Sequence, residues 1–423
     1  MSTNPFRNGV TSRNRRGFKI PTAVKIISIS SIFVLLSYSV LNESSKKRQA
    51  ENSLQFLDSI KLSPSSLSSS SSSWCHRIDQ ERTQLNSDLH ITYPCTDIPP
   101  NTQSAIVTYL TAGVEEGKGT RTVFTGKEYI DGALALGASL SQYLTREDTV
   151  KLILVRKGFT LPDTERIKLE KVGWIVGQAP PVDIDDKYVP RFARYKTTYT
   201  KISAIGLSEF DCVLLMDADT LVVGNIDDLL SCNVFRDDQN NKITDQYQVA
   251  GTLDYYHKKW YHFNTGSILW NTSSKEMNRV YDLTKDESFM TRFESDQIFL
   301  NTVYPDRTDV NKNELMLHED MNGPRENWGR VVNLGWKYNV QTHVEVQHPT
   351  FWKDHFEGIK IVHYTEKKGW QCPEQYGSPP SNEVMANLKN CSNKNRDELC
   401  FCGLGYLWWD NLKLANKMID KAS

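Results

Sequence analysis

With 423 residues, 50 basic and 51 acidic side chains and a formal net charge of −1, the chain has room for one large domain or two. That balance excludes the generally basic surface that nucleic-acid binders carry. The charge is unevenly spread, because Arg7, Arg13, Arg15, Arg16, Lys19 and Lys25 all precede the first acid, Glu43.

The basic segment 1–21 runs into an apolar one. Ile26–Leu41 carries no charge, and extended back to Thr22 it reaches the roughly 20 residues a helix needs to cross a bilayer. Lys25 can snorkel to the interface. Residues 22–41 are therefore expected to be a signal anchor, with the basic end cytosolic and the remainder lumenal. A cleaved signal peptide is the rival, but its core would be shorter, and no compact small-x-small site follows. Residues 42–100 read as a stem whose Ser-rich part, Asn42 to Ser73, buries too little apolar area to offset its chain entropy.

The eight cysteines suit an oxidising lumen. Cys75 and Cys95 flank the entrance to the domain as a local pair. Cys372, Cys391, Cys400 and Cys402 cluster near the end. They lack C-x-x-C spacing and a histidine, which favours disulfides over zinc. Cys212, inside an apolar run, is expected to be a free core thiol. Acceptor sequons stand at Asn42, Asn271 and Asn390.

From Ala105, AIVTYLTAG reads as a first strand, and 113–128 as a polar, Gly-rich loop. Ile130, Ala133, Leu134, Gly137, Leu140 and Leu144 then fall on one helix face. VKLILVR is a second strand, LPDTERIKLEKVG a helix begun by Pro162, and WIVGQA a third strand. Segment 196–209 places Tyr199, Ile202 and Ile205 on one face. The spacing predicts an α/β, doubly wound, mostly parallel sheet.

Next comes DCVLLMDADTLVVGNIDDLL, from Asp211 to Leu230. The run Cys212–Met216 reads as a strand covered on both faces. Asp217 and Asp219 at its end would each carry several kcal/mol of desolvation cost if buried alone. A divalent cation at the strand's carboxyl end resolves this, and open α/β sheets bind their ligands there.

MDADTLVVGNIDDLL resembles the D-x-D block of the retaining, glycogenin-like family 8 glycosyltransferases. FNTG at 263–266, DQIFLN at 296–301 and IVHYTEKKGW at 361–370 follow in the family's order. The resemblance spans about 103–372 and implies a GT-A type nucleotide-sugar-binding domain. It implies that Val107, Thr108, Tyr109 and Thr111, with Tyr129 at the helix start, sit at the nucleotide. Ala112 stands where the family has Asn or Asp, and the loop after it is longer. Lys201, and upstream Arg194 or else Arg191, would face the diphosphate. Asp217, Asp219 and His363 would hold the metal, with Ala218 beside the nucleotide. Their mixed O/N donor set suits manganese better than magnesium. Lys368 would neutralise the leaving phosphate. Here the family block departs, with Glu366 replacing a glycine and Gly369 a proline. Asn264 and Gly266 would line the sugar pocket, and Asp296 and Gln297 would approach the anomeric carbon.

The expected layout is a cytosolic tail at 1–21, an anchor at 22–41, a stem at 42–100, a transferase domain at 101–372 and a disulfide-containing extension at 373–423. In that extension LWWDNLKLANKM reads as a closing helix, with Trp408 and Trp409 either core or an acceptor platform. The expected activity is transfer of a hexose from a uridine-diphosphate sugar to a glycan or glycoconjugate, with retention, in the Golgi lumen. Two alternatives stand: a non-catalytic carbohydrate-binding protein of the same fold, disfavoured by an intact Asp217, Asp219 and His363, and a nucleotidyltransferase, disfavoured by FNTG and the histidine block.

Overall fold

Four strands in the first half of the domain lie side by side, each built around an apolar run. They are β1 (Ser104–Leu110), β2 (Thr149–Arg156), β3 (Ile175–Ala179) and β4 (Cys212–Met216). In β1 and β4 every residue is buried. The computed structural model describes residues 75–111, 126–188, 193–236, 239, 248–254, 263–290, 295–304, 327–328, 331–344, 356–365, 367–372 and 404–423, apart from Arg77, Asp79 and Arg82. All fall within the unit Pro64–Ser423. The expected anchor, most of the stem, Arg191 and the sequons at Asn42 and Asn390 lie outside them. No helix among the described residues is long and apolar enough to cross a membrane.

The remaining strands are β5 (Thr220–Val222), β6 (Val249–Leu253), β7 (Phe263–Trp270), β8 (Asn327–Trp328), β9 (Val331–Asn333), β10 (Val340–Gln341) and β11 (Ile361–His363). An eight-stranded sheet has the order β3-β2-β1-β4-β7-β6-β9-β8. Its β3, β2, β1 and β4 are parallel. Beyond them β7 is antiparallel to both β4 and β6, and β8 to β9. The expected parallel sheet is thus found in its first half, and the second half is mixed. Periodicity reports that a strand is buried but not its direction.

Helix α1 (Gly126–Tyr143) crosses from β1 to β2, and α2 (Asp163–Lys171) from β2 to β3. Between β3 and β4 the segment Ala193–Gly206 is 3₁₀-helical. Tyr199, Ile202 and Ile205, three apart and therefore eclipsed in a three-residue turn, are all fully buried. After β5 come α3 (Asp227–Leu230), α4 (Ser274–Leu283), α5 (Asp296–Val303) and α6 (Gly405–Lys421). Ser273 and Ser295 cap α4 and α5 by accepting from the backbone amides of Glu276 and Ile298. Trp408 on α6 is buried against Gly369 and Trp370, so it belongs to the core.

Two expectations about side chains are corrected. Cys212 is not a free thiol. It is bonded to Cys232, whose Cα lies 5.7 Å away, because the chain turns back after α3 to the start of β4. The strand stays buried, since both sulfurs belong to the core. Cys75–Cys95 pair as expected, and Cys372 is also disulfide-bonded. The second correction concerns Asn271. It is 1% exposed and directly follows β7, its backbone N–H donating to Gln248 O, so the folded chain offers no room for a glycan there.

Candidate active site

The D-x-D turn joins two sheets. β4 delivers Asp217 at its carboxyl end, and β5 begins one residue after Asp219. β5 pairs with β11 in a second, three-stranded sheet of order β10-β11-β5, which sets His363 opposite Thr220. The turn itself is tight. Thr220 donates to Asp217 O through both its backbone amide, at 3.0 Å, and its hydroxyl, at 2.7 Å. Asp217 N donates to Gly266 O on β7 at 2.8 Å, and Tyr364 N to Asp219 O at 3.0 Å. Three segments far apart in sequence therefore fix the two carboxylates before any ligand arrives.

Asp217, Asp219 and His363 offer ligating atoms that all lie within 4.8 Å of one another. His363 occupies the space beside Gly266, where a Cβ would overlap its Cε1 and Nδ1. Its Nδ1 is 3.1 Å from both Asn264 Oδ1 and Asn339 Oδ1, and its Nε2 is 3.5 Å from Asp219 Oδ1. That last oxygen is buried and makes no hydrogen bond. A second close approach seats the turn on α1, where a Cβ at Gly132 would meet Ala218 O.

Two lysines balance the charge. Lys201 Nζ lies 2.6 Å from Asp217 Oδ1 and 3.8 Å from Asp296 Oδ2. Lys368 Nζ pairs with Asp219 Oδ2 and donates to Tyr364 O at 2.9 Å. Burial alone would raise Asp219, but the Lys368 ammonium and the neighbouring His363 ring hold it below the usual carboxylate range. Asp217 goes the other way, raised by burial and by Asp219 against the pull of Lys201. Burial opposes the charge on Lys201, yet Asp217 and Asp296 raise it.

Beyond the turn, Asp296 is buried at the start of α5, accepting from Thr198 Oγ1 at 2.7 Å. Gln297 Oε1 accepts from Thr265 N at 3.1 Å, and its Nε2 donates to Asp254 Oδ2 at 2.7 Å. Asp254 and Asn339, both buried, escaped the sequence reading. Asp254 follows the apolar strand β6 directly, the same signal that exposed Asp217. Asn339 follows Trp-Lys-Tyr with no pattern to mark it.

No protein-family model matches the chain. The glycosyltransferase GlyE of Streptococcus pneumoniae aligns over 76% of this chain and 64% of its own, at 18% identity and TM-score 0.39. Inositol phosphorylceramide glucuronosyltransferase 1 of Arabidopsis thaliana is 26% identical over 44% of this chain, which spans only 30% of that protein. Human glycogenin-1 is 28% identical over 295 residues, 68% of this chain and 70% of its own length. The chain is similar to glycogenin-like glycosyltransferases over about two thirds of its length.

The blocks that resemble the family converge in the fold, since Asp217, Asp219, Asn264, Gly266, His363 and Lys368 are joined by the contacts above. Lys201 links Asp217 to Asp296, and Gln297 reaches the same strand through Thr265. Tyr129 lies beside Trp370, ring centroids 5.2 Å apart, and burial raises its hydroxyl. Thr108 and Tyr109 are placed differently. Thr108 has no accessible surface, and the Tyr109 hydroxyl bonds Ser203 at 2.8 Å inside the core. Thr111 follows β1 and is half-buried. The Arg194 side chain lies outside the described residues.

Proposed function

We propose that this glycosyltransferase moves a hexose from a uridine-diphosphate sugar to a glycan or glycoconjugate, retaining configuration, with a divalent cation on Asp217, Asp219 and His363. The observation that carries the cation is the orphaned Asp219 Oδ1, buried and 3.5 Å from His363 Nε2. Two oxygen-rich lone-pair donors and an imidazole nitrogen facing one another favour a cation among them, and this mixture suits manganese over magnesium. When bound, the ion would supply Lewis-acid charge to the diphosphate.

The remaining work falls to the chain's own side chains. Lys368, reaching Asp219 from the Gly-Trp block, supplies positive charge where the nucleotide departs. Asn264 and Gln297 present fixed amides to the sugar, each oriented by a backbone N–H donor. Asp296 holds the charge of Lys201 in place. Retention is carried over from the family. The basic tail, the apolar 22–41 segment and the disulfides support a type II Golgi protein with a lumenal catalytic domain.

A panel of uridine-diphosphate sugars tests this reading. Chelator-treated protein should hydrolyse at least one of them only after manganese is restored, and Asp219→Asn should abolish the response. Transfer to an acceptor should give the donor's anomer by proton NMR. If no sugar on the panel is turned over with manganese present, the reading falls.

A further inference from the structure

Asn339 lies outside every block that resembles the family. It is fully buried, on the turn that leads into β10, and its own amide is tied back to Trp336 O at 3.2 Å. β10 runs parallel beside β11, with Gln341 opposite His363 and Thr342 N donating to His363 O at 3.0 Å. The backbone thus holds the Asn339 side chain against the imidazole.

Hydrogen-bond inventory fixes which atom is which. Gly266 N can only donate, and at 2.9 Å it meets Asn264, so the facing atom must be the amide oxygen. The same oxygen lies 2.9 Å from the Asn339 amide, so the Asn339 atom there must be its NH₂. Asn264 Oδ1 thus accepts from two donors already, and it too lies 3.1 Å from His363 Nδ1. The other end of the Asn339 amide, 3.1 Å from His363 Nδ1, is consequently an oxygen, so both atoms facing that nitrogen are oxygens, and Nδ1 must carry the hydrogen. Nε2 is left with its lone pair, on the side of the ring that faces Asp219.

We propose that Asn339 is a positioning residue that locks His363 in the Nδ1–H tautomer, through a relay running from the Gly266 amide through Asn264 and Asn339 to the imidazole. This rests on the cation reading above and deepens it, because a histidine ligates through a bare nitrogen and its partner at the other nitrogen sets which one is bare. An oxygen at Nδ1 also fixes the ring plane, so Nε2 is aimed without a search over rotamers. Asn339 itself touches neither carboxylate.

Two measurements test it. Calorimetric titration of the full-length protein with manganese should show Asn339→Leu weakening affinity about ten- to a hundredfold. In a His363→Leu background the same substitution should change nothing, because its effect passes through the imidazole. An equal loss in both backgrounds would overturn the proposal in favour of general loosening of β10. Long-range nitrogen–proton NMR of histidine-labelled, metal-free wild type at mildly alkaline pH should find the His363 proton on Nδ1. A proton on Nε2 would overturn it without any variant needing to fold. If the wild type binds no manganese, the cation reading fails while the NMR result still decides the tautomer.

Discussion

The imidazole of His363 lies where a side chain at position 266 would stand, so Gly266→Ala must move the ring or the strand beneath it. Overpacking of this kind typically costs about 1–3 kcal/mol. Thermal denaturation should show that loss, together with weaker manganese binding. Wild-type affinity in Gly266→Ala would mean that the ring has other room. Asp219→Asn keeps shape but removes a ligand charge. Its transfer rate should fall by a hundredfold or more, and adding His363→Ala should cost little beyond that, since both would hold the one proposed cation. The aspartates are legible because a carboxylate ending an apolar strand breaks a pattern, whereas Gly266 and His363 are legible only through the resemblance of FNTG and the histidine block. Asn339 breaks no pattern. Its neighbours Trp336 and Tyr338 supply the burial, and its role depends on a contact across 75 residues that only folding creates.

Lys151 on β2 poses a problem at the scale of the element. Its ammonium donates to Ser141 Oγ at 2.9 Å, Val172 O at 2.7 Å and Gly137 O at 3.4 Å, none of them a carboxylate. Burial without a countercharge lowers its pKa to about 8. Between about 8 and the ordinary lysine range the unfolded chain binds more protons than the folded one, so stability should rise with pH there. Lys151→Met should flatten that rise in chemical denaturation series; an unchanged slope would refute the assignment. The β4–α3 unit carries the second element-scale expectation. Its disulfide closes a separation of 20 residues, and replacing both cysteines by alanine should cost about 3 kcal/mol. The sequence made β4 legible as a buried strand, but not this bond. A buried cysteine looks the same whether its partner is core or another sulfur, and Cys232 reaches it by itself adopting a left-handed backbone, φ 58°.

At the scale of the whole molecule, strand–helix alternation made β1 to β4 readable. Of the small sheet only the IKIVH strand ending in His363 is legible; its partners, of two or three residues, are too short to show a period. Topology is expected to follow the amino-terminal charge. In sealed microsomes protease should spare 75–423 until detergent is added, and Asn271 should carry no glycan. Digestion without detergent would reverse the orientation. The meeting of two sheets at the D-x-D turn has a further consequence, for biosynthesis. Half of the site is made early, at 217–219, and the other half waits for 363. Lys368 and Trp370 follow, and the ring of Trp370 then needs Trp408 on the last helix, 6.0 Å away between centroids. A chain still emerging from the ribosome therefore carries two aspartates with no imidazole to complete them. Capture of the proposed cation would thus wait for residue 363, and nascent chains halted before it should show no saturable manganese uptake.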